Sequence, residues 1–377
     1  MCLYPRLIRN KKYTATIKNN GNIPEPKDKR VLAVPLKCGR CMECRKAISR
    51  EWQTRLNEEV RHNNKGRFVT LTISNESLAE LGNEIEVTGY ERDNAIATLA
   101  TRRFLERWRK HEGKSVKHWL ITELGHNGTE NVHLHGIVWN KNNKLITERW
   151  QYGHVFCGGW LSEQTVNYIV KYVHKTDLKH PNYKPKILTS KGIGSGYMKR
   201  FDAEQNKFKG LTTVETYKTR SGTKLTLPVY YRNKIYSEEE REQLWLQKLD
   251  TQTRYVDKRK IDISKGPEEY YALLQEAQRK SAKLGYGTDE TDWDKKTYEE
   301  KRRDMLYAER TKKTTIQPKK IFTYIYVTED GEIIEPHEVK NGTYIKERSQ
   351  IINTKEDEIN NKTTITKRIT VRAANGS

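Results

Sequence analysis

Two histidines one residue apart, His133 and His135, lie inside the apolar run VHLHGIVW. A strand alternates its side chains, so both imidazoles leave one face about 7 Å apart along the chain, while Val132, Leu134 and Val138 take the other. Upstream, ITELG ends a second strand-like run on Glu123, and a turn through residues 125–131 would return that carboxylate to the histidines. Two imidazoles and one carboxylate leave open positions on a divalent ion. Ten histidines in 377 residues give roughly 0.26 His-x-His pairs by chance, so the spacing draws its weight from the strand and the carboxylate around it. The plain alternative is a half-buried sheet face with two solvated histidines.

Tyr168 and Tyr172 follow in SEQTVNYIVKYVHKTD. On a helix Val166, Ile169, Val170 and Val173 form the apolar stripe, and Tyr168, Tyr172 and Lys175 share the opposite side. A phenol with the usual pKa near 10 is a poor nucleophile at neutral pH. Lys171 or Lys175 could assist by neutralising a phosphate or lowering a tyrosine's pKa. The plain alternative is a surface helix with snorkelling aromatics. The third pattern, CGRCMECRK, sets Cys38, Cys41 and Cys44 at metal or redox spacing, with a chance expectation below roughly 0.001. Structural Zn²⁺ needs a fourth ligand, for which Cys2, Cys157, His62 and His154 are candidates. A reduced apolar or redox-sensitive cluster and an iron–sulfur centre are the other readings, the last opposed by Ile48 where a bacterial ferredoxin places a cysteine.

Elements that would position these residues are readable from periodicity. Residues 1–66 form a basic arm, the cysteine cluster and a helix over 45–62; residues 67–236 mix strands at 68–73, 118–123 and 132–139 with helices at 94–111, capped by Asp93, and at 163–175. Residues 237–313 read as a helical accessory region that opens on a capping box at Ser237 and breaks at Gly266-Pro267 and Gly285. Residues 314–377 hold a hairpin-like stretch turning at Asp330-Gly331, then a Lys-, Asn- and Thr-rich tail whose last dozen residues are expected to be mobile. The fold class is α+β, with a central, largely antiparallel sheet, helices on one face and the active site on the other.

Composition bounds the partners. The 71 Lys and Arg against 49 Asp and Glu leave a net charge of +22, which calls for an acidic partner and fits phosphate-backbone binding. Trp and Tyr side chains around 150–172 are candidates for stacking on exposed bases. No run approaches the roughly 18 apolar residues of a membrane helix, and the first twenty residues lack an apolar signal-peptide centre. Clustered cysteines suit a reducing cytoplasm. No Gly-x4-Gly-Lys-Ser/Thr loop marks a helicase, so unwinding would fall to a host enzyme.

The order FVTLT at 68–72, HLH at 133–135 and YIVKYVHK at 168–175 resembles the HUH endonuclease superfamily. The two-tyrosine form is similar to replication initiators of small single-stranded DNA bacteriophages. MCLYPRLIRN, CGRCMECRK followed by REWQTR, WQYGHV, GIGSGYM and LPVYYRNKIYSEEER resemble segments of the gokushovirus-like initiators of the Microviridae, over about residues 1–245. The resemblance supplies the sheet topology and implies that His133, His135 and Glu123, with Glu130 as fallback, hold Mg²⁺ or Mn²⁺. It also implies that Tyr168 and Tyr172 are nucleophiles and that Lys171 and Lys175 assist at the phosphate.

Such a protein would nick single-stranded or melted origin DNA, form a 5′-phosphotyrosine link, and later rejoin strands during rolling-circle replication in the cytoplasm of a bacterial host. Host DNA polymerase and helicase would be its partners. The rivals are a two-tyrosine transposase or plasmid initiator, and a non-catalytic zinc-stabilised nucleic-acid-binding protein whose tyrosines only stack bases.

Overall fold

The few apolar residues of the basic N-terminal arm pin it down: Leu3, Tyr13 and Val31 are buried, and strands β1 (Arg6–Arg9) and β2 (Ala33–Leu36) pair antiparallel. The computed structural model describes residues 2–126, 129–286, 304, 307, 319–335, 344–357 and 362–373. They fall into two compact units, Met1–Leu306 and Tyr307–Ser377. Helix α1 (Met42–His62) starts three residues before the periodicity suggests, directly after Cys41.

Next come β3 (Arg67–Thr72), α2 (Asn75–Gly82), capped by the Ser74 side chain, and α3 (Gly89–Glu112). α3 begins after Thr88, and Asp93, expected as its cap, is instead buried inside it. The hairpin β4 (His118–Leu124) and β5 (Val132–Val138) matches the two apolar runs that the sequence marks as strands. α4 (Asn143–Trp150) and β6 (Val155–Trp160) carry no strong sequence signal. The tyrosine helix divides at Val170 into α5 (Glu163–Ile169) and α6 (Lys171–His174), and β7 (Ile187–Thr189) follows.

The sheet order is β6-β3-β5-β4-β7, antiparallel throughout. On one face Trp119, Ile121 and Ile137 pack against Leu56 and Val60 of α1 and Val166, Ile169, Val170 and Val173 of the tyrosine helices. α3 contacts β5 and buries Ile96, Leu99, Phe104 and Trp108. Odd-numbered β5 residues serve the first face, and even-numbered Val132, Leu134 and Val138 are buried on the other. Helices therefore cover both faces, where the sequence suggests one, because α1 from the N-terminal segment joins the core. A register shift between Arg67 and Val69 puts a bulge in the β3–β6 pairing, next to Gly158 and Gly159.

The remainder of the first unit is α7 (Phe201–Gln205), the hairpin β8 (Thr216–Lys218) and β9 (Lys224–Thr226), α8 (Val229–Ile235) and α9 (Glu238–Asp250). The capping box is present: Ser237 Oγ accepts from Glu240 N, and Ser237 N donates to Glu240 Oε2. The helical pattern is then interrupted by a hairpin, β10 (Thr253–Val256) and β11 (Arg259–Asp262), before α10 (Glu268–Lys283). Its turn, Asp257-Lys258, has positive φ at both residues (41° and 71°) without a glycine to announce it. α10 gives way at Gly285, as expected; the helix projected on to 313 lies outside the described residues apart from 304 and 307.

The second unit is a sheet ordered β13-β12-β15-β14, from β12 (Lys319–Val327), β13 (Ile333–Ile334), β14 (Tyr344–Asp357) and β15 (Lys362–Ala373). The β12–β13 hairpin turns at Asp330-Gly331, with Gly331 at φ 92°. The Lys-, Asn- and Thr-rich stretch that reads as a tail is strand-paired as far as Ala373, burying Ile369 and Val371. Among the described residues no helix is long and apolar enough to cross a membrane.

Gly136, between the histidines and the rest of β5, meets backbone on the neighbouring strand: a Cβ there would lie 2.1 Å from the Trp119 carbonyl oxygen and 2.8 Å from Leu120 Cα. Gly159 faces open space. Gly136→Ala is expected to cost about 3 kcal/mol or more in urea unfolding, and Gly159→Ala to stay within about 1 kcal/mol. Equal effects would contradict this packing.

Candidate active site

Register brings the predicted ligands together. Glu123 stands opposite His133 and Ile121 opposite His135 across β4–β5, while β3 sets Thr72 opposite His133 and Thr70 opposite His135. Directly opposed residues share a sheet face, so the carboxylate, both imidazoles and Thr70 emerge on one side. His133 Nε2 lies 3.3 Å and His135 Nε2 2.9 Å from Glu123 Oε2, with the rings 4.8 Å apart and nearly perpendicular. Each residue offers a ligand atom within 4.8 Å of the others.

A second layer orients the rings. His133 Nδ1 donates to the Asn131 carbonyl at 3.2 Å, because a carbonyl can only accept, and His135 Nδ1 faces Thr70 Oγ1 at 3.0 Å. Neutral His133 therefore turns the lone pair of Nε2 toward a carboxylate oxygen. Two acceptors converging in this way fit a cation between them, and the Glu/His/His donor set is one that a divalent ion accepts. Burial alone would raise the Glu123 carboxyl, yet hydrogen bonds from His133, His135 and Lys175 hold it well below the usual carboxylate range. Burial lowers His135 and keeps it neutral, against the pull of Glu123.

The tyrosines sit over this cluster. With Val166, Ile169, Val170 and Val173 buried, Tyr168 and Tyr172 project away from the helix–sheet core. Their hydroxyls are 2.8 Å apart, and the Tyr172 ring stacks on His135 at 4.2 Å and 11°. Phe68 lies nearly parallel to His135 at 6.1 Å and edge-on to Tyr168 at 5.6 Å. Tyr172 is half-buried, and burial, reinforced by the hydrogen bond and charge of Tyr168 and the charge of Glu123, pushes its pKa up, the reverse of the lowering suggested from the nearby lysines. Lys175 Nζ is 2.7 Å from Glu123 Oε1 and 6.0 Å from the centre of the Tyr172 ring; Lys171 Nζ is 5.6 Å from that of Tyr168.

Other sequence candidates are placed elsewhere. Trp150 and Tyr152 are buried against Phe104 and Arg107, leaving Phe156, Trp160 and Tyr168 as the exposed aromatics of that stretch. Glu130 is engaged by His180 Nε2 at 2.9 Å, and His180 Nδ1 bonds Asp177 at 2.8 Å. This buried imidazole joins the β4–β5 turn, which leads into His133, to the chain leaving α6 just after Lys175. Nothing in the sequence marks His180, which stands alone in a polar stretch. The cysteines form a second group: the sulfurs of Cys2, Cys38, Cys41 and Cys44 lie within 4.8 Å of one another, a set that could hold a metal ion. Cys157 is instead part of β6.

Residues 66–177 match a family model, that of the replication-associated protein ORF2 and its relatives. The matched stretch runs from just before β3 through α6 and holds Glu123, both histidines, both tyrosines and both lysines. The similarity supports a replication-initiator role, and with it nucleic-acid binding. No curated protein and no solved structure matches the chain.

The His180 clamp has a pH signature. Burial would lower its pKa, but hydrogen bonds to Asp177 and Glu130 raise it above the ordinary value; Tyr90 and His126 also flank the ring. A raised group contributes stability that is complete below its unfolded pKa near ~6.5 and fades as pH climbs through the folded value. The gap in melting temperature between wild type and His180→Gln is therefore expected to be wide near pH ~6 and narrower near pH ~9. A gap that widened instead would mean the ring is neutral in the fold.

Proposed function

We propose that this protein is a metal-dependent DNA nickase and strand transferase that initiates rolling-circle replication of a circular single-stranded DNA phage genome in the cytoplasm of a bacterial host. The observation that carries the reading is the stacking of Tyr172 directly on His135, one of three convergent ligand candidates, with the Tyr168 hydroxyl a hydrogen bond away. The match to a replication-associated family over the same residues supports the substrate class.

Glu123, His133 and His135 would hold Mg²⁺ or Mn²⁺, which supplies Lewis-acid stabilisation of phosphate charge when bound. A tyrosine oxygen attacks phosphorus, the bond to the 3′ oxygen breaks, and that oxygen leaves with a proton as the phosphotyrosine ester forms at the 5′ side. The ester conserves the bond energy for rejoining. Accepting a hydrogen bond from its neighbour stabilises whichever phenol becomes the phenolate. Lys171, exposed beside Tyr168, is placed to neutralise a phosphate oxygen, whereas Lys175 fixes the Glu123 carboxylate and joins helix to sheet. Stacking against His135 holds the Tyr172 ring. The freed 3′-OH would prime a host polymerase, with unwinding by a host helicase on single-stranded or melted origin DNA.

Incubation with labelled single-stranded genome fragments and Mn²⁺ should give a covalent protein–DNA band on a denaturing gel. The Tyr168→Phe/Tyr172→Phe double variant should lose it while still binding DNA, and His133→Ala/His135→Ala should lose the metal-dependent part. Robust nicking by the double tyrosine variant would sink the assignment, and no adduct across the whole genome, with binding intact, would favour a non-catalytic role. Thr70→Val removes the partner of His135 and is expected to weaken Mn²⁺ binding about 10-fold or more by calorimetry; unchanged affinity would argue against His135 as a ligand.

A further inference from the structure

The cysteine cluster takes no part in the proposed strand transfer, lies in a different core from the tyrosines, and is built more tightly than chance packing of thiols requires. Cys2 comes from the N-terminal arm; Cys38, Cys41 and Cys44 come from the turn into α1 and its first residues. Gly39, at φ 73°, takes the left-handed conformation that lets the chain double back between Cys38 and Cys41. Three backbone N–H groups donate to sulfur: Cys38 to Cys2 at 3.2 Å, Cys41 to Cys38 at 3.4 Å and Leu3 to Cys41 at 3.5 Å. Donors aimed at sulfur, and the N-terminus of a 21-residue helix beside Cys41 and Cys44, favour the thiolate form.

We propose that Cys2, Cys38, Cys41 and Cys44 hold one Zn²⁺ in a closed tetrahedral tetrathiolate site whose role is structural. Four sulfurs about 2.3 Å from one ion at tetrahedral angles stand about 3.8 Å apart. Cys38 and Cys44 are at 3.9 Å, and all four sulfurs fall within 4.8 Å. That span suits a single ion; an iron–sulfur cluster, which places its thiolates on separate irons, needs them further apart. Cys2, Cys41 and Cys44 are 5%, 0% and 3% exposed, which closes the site to substrate or an exchanging water. The other fourth-ligand candidates are committed elsewhere: Cys157 in β6, His62 to the Glu58 carbonyl, and His154 in the backbone pairing beside Thr72.

The site's surroundings say what the ion would hold. Val256 and Ile261 of the β10–β11 hairpin and Ala277 of α10 pack around the cysteines. Gln278 Nε2 donates to the Leu3 carbonyl at 2.8 Å, and the Met42 N–H donates to Ser281 Oγ at 3.2 Å. One ion would thus staple the N-terminal arm, the start of α1 and the α10 region together. Further along α1, the Ser49 hydroxyl donates to the Val170 carbonyl at 3.2 Å, at the junction of α5 and α6. The staple fixes the helix that backs the tyrosines, and metal binding contributes directly to folding because the unfolded chain has no such site.

The full-length protein, expressed in zinc-supplemented medium and dialysed against a mild chelator, should retain one zinc per chain by elemental analysis. Its Co²⁺ form should show the d–d and sulfur-to-metal charge-transfer bands of a tetrahedral tetrathiolate. Cys2→Ser should lose the retained zinc, and Cys157→Ser should keep it. Should Cys2→Ser fail to fold, X-ray absorption at the zinc edge of wild type gives the ligand count, with four sulfurs expected. Absence of stoichiometric zinc, iron in its place, a shell of fewer than four sulfurs, or a Cys2→Ser variant with unchanged zinc and cobalt spectrum would each overturn the proposal. None of these readouts depends on DNA cleavage, so the zinc site and the nickase reading stand or fall separately.

Discussion

Glu123 and His133 face each other across the β4–β5 pairing, and the placement of the other candidate ligands follows from that register. Strand side chains alternate, so a slip of one residue in either strand would send one of the pair to the opposite face, beneath α3, and leave a buried charge without partners. The register is protected by what surrounds it. Val132, Leu134 and Val138 are completely buried, and Gly136 lets the neighbouring backbone close in where any side chain would clash. The apolar half of β5 thereby fixes the polar half.

Glu123 is also the joint between the sheet and the tyrosine helix. Its two oxygens divide the work: Oε2 faces both imidazoles and Oε1 takes Lys175. A carboxylate with three cationic or hydrogen-bonding neighbours stays ionised despite burial, which preserves the negative charge that a divalent ion would need. The stack of Tyr172 on His135 and the His180 link between Glu130 and Asp177 add two further ties between the same strands and the same helix. Side chains from four chain segments are held in one place by contacts that do not include the apolar core.

Much of this was legible in sequence because it rests on local periodicity. The alternation in VHLHGIVW and the valine and isoleucine stripe beside Tyr168 and Tyr172 each have one geometric solution, and the structure adopts it. The capping box at Ser237 was equally plain. What escaped depended on long-range packing or on turns without their usual residues. Helix α1 read as part of an appendage because nothing in its own pattern says that Leu56 and Val60 meet the sheet. The β10–β11 hairpin was hidden by a turn of Asp and Lys, and β6 by its paired glycines. Trp150 and Tyr152 looked available for stacking on bases, since composition alone does not distinguish an aromatic that fills a core from one that meets solvent. The choice of Cys2 among four fourth-ligand candidates is likewise a tertiary fact, set by an arm that returns across 36 residues to Cys38.

The five-stranded sheet ends on β7, three residues long, at one side and on β6, bulged against β3 at its glycine pair, at the other. Neither border presents a long, flat row of unsatisfied amide and carbonyl groups, the feature that lets one chain recruit another by extending its sheet. Growth by strand addition is therefore discouraged at both margins. What remains for recognition in this unit is the broad surface of the sheet and the helices laid over it, where partners must be read by side chains and charge.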